Sequence, residues 1–458
     1  IMAWIPRTEE NYHKLILEAK TESGTVRGLP GGNRICSVFK GIPYAAAPVG
    51  ELRWKKPQEA PHWDGVRECY KFGPASYQLD RSYEVGAKNL YPSSYEVSED
   101  CLYLNIWTPA QSTEDRLPVY FWTHGGGNFG GFGSELENDG EGLAKRDVIL
   151  VTYNYRLNSL GFLAHPELSA ESEDGVSGNY ALYDAIAAFH WVRENIAAFG
   201  GDPDRITLGG QSAGCMMTMC LCASPLMKGK FAGATFFSGI SMETGHSLIS
   251  TRKTLKEAEE EGLAYMKAHG CTSLAELRKL PPEELIKDTE FEEAHILAFR
   301  QIQDGISLPK SFAELAKAGE LDDVPYICCL TADEHMGGSI PEKGRQRATK
   351  DVQAFCENQL ALGRKAAYVF RFSRPLPGDD DGAWHTAELF YLFETIHRTW
   401  RRMTGYDYEL QTKMADYFAN FVKTGDPNGD GLVKWIPYTK DRHKAMDLGT
   451  MDGMIEIR

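Results

Sequence analysis

The chain has 458 residues, 42% hydrophobic and 25% charged, which is ordinary globular usage with material for a large core. Its net charge is −15 and its cationic residues are scattered, so no electrostatic footprint for a phosphate backbone exists and nucleic acid is not expected as a partner. No apolar run is long enough to span a bilayer, and no Pro/Ser/Gly-rich linker divides the chain, which reads as one domain over 1–458 with excursions around 245–320 and 335–384.

The opening Ile1-Met2-Ala3-Trp4-Ile5-Pro6-Arg7-Thr8-Glu9-Glu10 turns polar at once and lacks the apolar core of a secretion signal. Ten cysteines in so long a chain do not make a disulfide framework; Cys215, Cys220, Cys222, Cys328 and Cys329 lie inside apolar runs, as buried thiols do. No N-x-[ST] sequon occurs. The expected setting is reducing and cytoplasmic.

In chain order, residues 21–60 predict a small antiparallel sheet, from a strand at 24–28 and another at 38–44. Residues 117–123 predict a strand running into His124-Gly125-Gly126-Gly127-Asn128-Phe129-Gly130-Gly131. Successive glycines after a strand let backbone N–H groups face a ligand with no side chain in the way, as an oxyanion cradle requires. Gly125, Gly127 and Gly130 also satisfy a dinucleotide fingerprint, but that reading needs a helix next and an acid ending the following strand. Instead the glycines continue to Gly131 and Gly133, and the strand at 148–153 ends in Asn154.

Helical apolar spacing over 179–195 leads to a β-prone run at 205–208 and then Gly210-Gln211-Ser212-Ala213-Gly214 ahead of an apolar helix. A serine hydroxyl is a poor nucleophile unless a base can reach it, and a tight strand-turn-helix holds Ser212 clear of the sheet on a strained backbone. Ala213 opens the helix, so its N–H lacks an intrahelical partner and can point at a developing oxyanion. Beyond a buried strand at 232–239, the charged amphipathic segments of 245–320 predict helices that roof the sheet. A strand at 324–330 ends near Asp333 and Glu334, and one at 366–372 leads through a Pro/Gly/Asp loop to His385. Asp426-Pro427-Asn428-Gly429-Asp430-Gly431 mimics the start of a calcium loop, but its twelfth position is Pro437, so it reads as a turn without metal.

Phe39-Lys40-Gly41-Ile42-Pro43-Tyr44-Ala45, Pro48-Val49-Gly50-Glu51-Leu52-Arg53-Trp54 and Ser98-Glu99-Asp100-Cys101-Leu102-Tyr103-Leu104-Asn105-Ile106-Trp107-Thr108-Pro109 resemble the N-terminal signatures of the type-B carboxylesterases, the family that includes the cholinesterases. The resemblance runs through Asn154-Tyr155-Arg156-Leu157 and the elbow and covers about 20–440. It implies an α/β-hydrolase fold: a mostly parallel twisted central sheet flanked by helices, a small N-terminal antiparallel sheet and a reduced helical lid. The triad order of that fold is Ser, acid, His. Of the late histidines His385, His397 and His443, the first stands in a His-x-x-Glu-Leu motif like the family's. Many carboxylates lie between Ser212 and His385; the resemblance picks Glu334, with Asp333 pointing the other way and His335 standing where most relatives have glycine.

The resemblance therefore implies a triad of Ser212, Glu334 and His385, oxyanion donors on Gly126, Gly127 and Ala213, and no cofactor or metal. Gln211 takes a place where many relatives carry Glu and reads as a neutral hydrogen-bonding replacement. Cys101 lacks its usual partner, because Ser76 stands there; Cys69 is the nearby alternative. Fifty-one positions separate Glu334 and His385, short for this family, so a reduced lid over an open cleft is expected. Trp384, Phe390, Tyr391, Phe393 and Trp400 serve either to stack on an aromatic substrate or to pack the core. The activity implied is hydrolysis of small to medium esters, aromatic ones included, through an acyl-enzyme, with an acid limb near the ordinary imidazole pKa of about 6.5. Two alternatives stand beside it: a hydroxycinnamoyl (feruloyl-type) esterase, and a non-catalytic adhesion or scaffold protein, which the complete Ser-Glu-His set disfavours.

Overall fold

Residues 117–123 and 149–153 are apolar at successive positions, the pattern of strands covered on both faces, and all but Leu117 are buried. In the computed structural model, which describes residues 14–78, 95–243, 253–287, 299–334, 342–441 and 443–457, they form the centre of an eleven-stranded sheet. Its strands in chain order are β1 (Leu29–Pro30), β2 (Ser37–Pro43), β3 (Tyr103–Thr108), β4 (Leu117–Thr123), β5 (Ile149–Tyr153), β6 (Gly201–Gln211), β7 (Gly233–Phe237), β8 (Tyr326–Thr331), β9 (Tyr368–Phe372), β10 (Lys444–Leu448) and β11 (Gly453–Glu456). Across the sheet they run β11-β10-β9-β8-β7-β6-β4-β5-β3-β2-β1. The block from β10 to β5 is parallel, and the strands beyond it at either edge are antiparallel.

The two-residue period of β4 divides the core. Val119 and Phe121 face α1 (Tyr180–Asn195) and α2 (Ala213–Ala223), with Phe121 edge-on to Phe189 at 5.6 Å. Tyr120 and Trp122 face the other way, where Trp122 meets Phe393 edge-on at 5.0 Å and the α-helix Gly405–Thr424 covers them. The parallel block is thus sandwiched, and the carboxyl ends of β4, β6, β7, β8 and β9 all open on one edge, where ligands bind in such sheets.

The small N-terminal sheet pairs Glu18–Thr21 antiparallel with Gly24–Arg27 and adds Val66–Glu68 in parallel. Its expected second strand lies elsewhere: Ser37–Pro43 is buried on both faces and joins the large sheet beside β3. The roof begins with α3 (Leu255–Ala268) and α4 (Phe312–Ala318), each started by a capping box: Thr254 with Glu257, and Ser311 with Glu314. Arg53 ties this roof to the body, donating to the carbonyls of Arg278 and Leu280 while pairing with Glu99. Between Glu334 and His385 the chain holds α5 (Glu342–Ala361) and β9, which leaves only short links. Among the described residues no helix is long and apolar enough to cross a membrane.

All ten thiols are free, and all but Cys271 are buried. Cys101 hydrogen-bonds the Ser76 hydroxyl, and burial pushes its pKa up to about 12. Ser76→Cys is therefore expected to bridge to Cys101 under oxidising conditions, closing a loop whose chain-entropy value is about 3.5 kcal/mol. A rise in the thermal midpoint that thiol reductant reverses checks it; two thiols still titrating in the oxidised variant count against it.

Candidate active site

Ser212 sits between the last residue of β6 and the first of α2 at φ 56°, ψ −121°, a conformation that costs of order 1–3 kcal/mol for a residue with a Cβ. Two backbone bonds hold it there: Ser212 N–H donates to the Phe237 carbonyl at 2.9 Å, and Met216 N–H donates to the Ser212 carbonyl at 3.1 Å. The flanking glycines are steric necessities, since a Cβ at Gly210 would come within 2.3 Å of the Gly214 carbonyl, and one at Gly214 within 2.1 Å of the Thr123 carbonyl.

The glycine loop after β4 curls toward the same point. Gly126 and Gly127 have φ +100° and +65°, and Gly130 N–H donates to the Gly126 carbonyl at 2.9 Å, closing the turn. Among the described residues no backbone acceptor takes the N–H of Gly126, Gly127 or Ala213. His124 is fixed below the loop, stacked on Tyr155 at 4.4 Å, and burial drops its pKa to about 4, so it stays neutral. The glycines lead to no long helix, and Asn154 Oδ1 accepts the Gly133 N–H, so the dinucleotide alternative lacks its geometry.

Two neighbouring acids at the end of β8 do different things. Asp333 accepts the Ala383 N–H at 2.9 Å through Oδ2 and donates its own N–H to the Ala383 carbonyl at 3.1 Å, anchoring the loop that carries His385. Glu334 turns the other way: Oε1 accepts the Thr331 N–H at 2.8 Å and Oε2 lies 2.6 Å from His385 Nδ1. Both Glu334 and His385 are 8% exposed. Burial alone would raise the Glu334 pKa, but the His385 charge and hydrogen bond, the Ser238 hydroxyl and the Thr331 N–H hold it below its ordinary value. Burial alone would lower that of His385, but the charge and hydrogen bond of Glu334 and the charge of Glu388 raise it above 6.5. The far imidazole nitrogen, Nε2, lies 3.0 Å from Nε2 of Gln211. Among the described residues no hydrogen bond joins the Ser212 hydroxyl to the imidazole.

Sequence reasoning passed over Glu388, the acid of the His-x-x-Glu-Leu motif. It is 1% exposed, neither carboxyl oxygen has a hydrogen-bond partner among the described residues, and burial together with the charge of Glu334 pushes its pKa up to about 8. A carboxyl raised in the fold above its unfolded value binds its proton more tightly when folded, so it costs stability as pH climbs from 4.5 toward 8. Glu388→Gln is expected to raise the unfolding free energy above pH 8 by at most about 5 kcal/mol and to give no gain below about pH 4. Thermal midpoints at the two pH values check this, and an equal shift at both would refute it.

The remaining candidates fall outside the cluster. His397 is exposed on the turn Ile396–Arg398, and His443 is exposed and stacked on Tyr438 at 5.6 Å. His335 lies outside the described residues. Trp384, Phe390, Tyr391 and Phe393 are buried in the core and pack it, while Trp400 is 42% exposed. Arg398, at the end of the turn Ile396–Arg398, pairs with Asp139, and Arg401 pairs with Asp379. Asp426 Oδ1 accepts the Asn428 N–H at 2.9 Å in a local turn. Among the described residues no group of three or more His, Cys, Asp or Glu side chains could hold a metal ion.

The model of the Carboxylesterase family matches residues 16–361 and 346–456. A fumonisin B1 esterase from Sphingopyxis macrogoltabida is 39% identical over a stretch covering 81% of this chain, which spans 65% of that relative's length. The para-nitrobenzyl esterase of Bacillus subtilis is 36% identical over 93% of this chain and 94% of its own length. Among solved structures, a PNB esterase superposes with a TM-score of 0.83 at 28% identity over 96% of both chains. A carboxylesterase of Geobacillus stearothermophilus does so with 0.79 at 29% identity, over 96% of this chain and 97% of its own.

Proposed function

Because the chain belongs to the carboxylesterase family and is a carboxylic-ester hydrolase, we propose that Ser212 is its nucleophile, His385 its general base and Glu334 the acid that orients the imidazole. The observation that carries this is the 2.6 Å contact between His385 Nδ1 and Glu334, in an imidazole that also reaches the residue next to Ser212. With its proton on Nδ1 held by a carboxylate, the ring presents a lone pair at Nε2. That lone pair takes the Ser212 proton as the oxygen attacks the ester carbonyl, and the proton then passes to the departing alkoxide. The N–H groups of Gly126, Gly127 and Ala213 receive the oxyanion; each such donor is worth on the order of 3 kcal/mol of barrier. Water repeats the attack on the acyl-serine, with His385 again the base.

The base works only when neutral, so activity falls as pH drops through its pKa. Because the charge and hydrogen bond of Glu334 raise that value, the acid limb is expected above 6.5 and not at it. The name of one relative, a para-nitrobenzyl esterase, supports testing small nitroaromatic esters first. Stopped-flow hydrolysis of p-nitrophenyl acetate and butyrate is expected to release about one equivalent of p-nitrophenol per chain in a burst before the steady state. Mass spectrometry is expected to find the acyl group on the Ser212 peptide. Acyl label on any other residue, or a rate independent of pH across the imidazole range, would remove the assignment.

A further inference from the structure

Resting on that serine-hydrolase reading, we infer that Gln211 is a positioning residue that latches His385 away from the nucleophile: its amide occupies the imidazole lone pair that Ser212 must use. Nδ1 of His385 faces a carboxylate at 2.6 Å, which places the ring proton there and leaves Nε2 able only to accept. The Gln211 side chain presents its amide nitrogen, a pure donor, to that atom at 3.0 Å. The two contacts require the same tautomer, so they support each other.

The amide is also held in place. Gln211 is 1% exposed, ends β6 in register with Phe237, and its Oε1 lies against Gly125, where a Cβ would come within 2.7 Å of it. It is wedged between the glycine loop and the imidazole, one residue from the serine. A single lone pair on Nε2 accepts one strong hydrogen bond, so the amide N–H and the Ser212 O–H compete for it. In the resting arrangement the amide holds it. Attack requires the ring to exchange this partner for the serine hydroxyl while Nδ1–H stays on Glu334.

A donor on the lone pair favours the neutral ring and opposes Glu334, the carboxylate that faces His385 and favours its cation; Glu388 also faces the ring, but its pKa of about 8 keeps it largely protonated where the imidazole titrates. Removing the donor therefore has a pH signature. If the latch is worth one neutral hydrogen bond, its loss speeds serine attack about tenfold at alkaline pH and raises the apparent base pKa by about one unit. Below the acid limb the two effects cancel, because the concentration of free neutral imidazole is then the same with or without the latch.

The test follows the rate at which a p-nitrophenyl alkylphosphonate releases one equivalent of p-nitrophenol on labelling Ser212, from pH 5 to 9.5, in the whole protein. Gln211→Met keeps the side-chain length without the donor, and Gln211→Ala is the second variant. Both are expected to label about tenfold faster at the alkaline end and at the parent rate at the acid end. Gln211→Glu, which can accept from the imidazolium, is expected to move the acid limb further up. Equal or slower labelling of Gln211→Met and Gln211→Ala at alkaline pH, with the limb unmoved, overturns the latch. Labelling that survives in Ser212→Ala overturns the underlying assignment of the nucleophile as well, so the two failures are distinguishable.

Discussion

Replacing Ser212 with alanine is expected to lower kcat by about a millionfold on any ester the protein turns over, with KM nearly unchanged. That factor corresponds to roughly 8 kcal/mol of barrier. It is large because the hydroxyl does more than any single contact: without it there is no acyl-enzyme, and His385 and Glu334 have no group to activate. For the same reason His385→Ala should cost about as much, and the double variant little more than either. Alanine suits the test because no hydrogen bond in the described structure uses the Ser212 hydroxyl, and the elbow is fixed by backbone bonds to Phe237 and Met216. Stability is accordingly expected to change by less than about 0.5 kcal/mol. Steady-state assays and calorimetry of the purified variant check both statements. Loss of less than about a hundredfold in kcat would mean that another nucleophile carries the reaction.

What could be read in the sequence divides along a physical line. The elbow and the glycine cradle are backbone devices: Gly210 and Gly214 stand where a Cβ would collide with carbonyl oxygens, and Gly126 and Gly127 adopt positive φ. Local constraints of that kind leave local traces. The parallel strands are equally legible, because burial on both faces demands continuous apolar runs. Ser37–Pro43 shows the limit: its apolar pattern announces a strand but not the sheet it joins. Pairing the acid with the histidine needs more, since Glu334 and His385 meet only because β8 and β9 lie side by side and Asp333 anchors the intervening loop. Resemblance supplied that pair; spacing alone left many carboxylates. Gln211 on His385 was out of reach altogether, a contact across 174 positions that depends on one side chain's direction at the end of β6.

Glu334→Gln is expected to reduce kcat by about ten-thousandfold, a larger effect than loss of one charge near the ring would suggest. The reason lies in the Thr331 N–H, which donates to Oε1 of Glu334 at 2.8 Å. In the amide that N–H keeps the carbonyl oxygen at the Oε1 position, and the new NH2 group takes the place of Oε2, facing His385 Nδ1. A donor there forces the ring proton to Nε2, so the lone pair points away from Ser212 and the base is lost. The same change removes the carboxylate that raises the imidazole pKa, so the residual activity should show its acid limb at lower pH than the parent. Glu334→Ala separates the two causes: it deletes the charge without supplying the misplaced donor, so it should retain more activity than the amide. Measured kcat/KM against pH for the parent and both variants decides the matter. If the amide variant were the more active of the two, tautomer control would not be the role of this carboxylate, and charge alone would have to explain its place beside the imidazole.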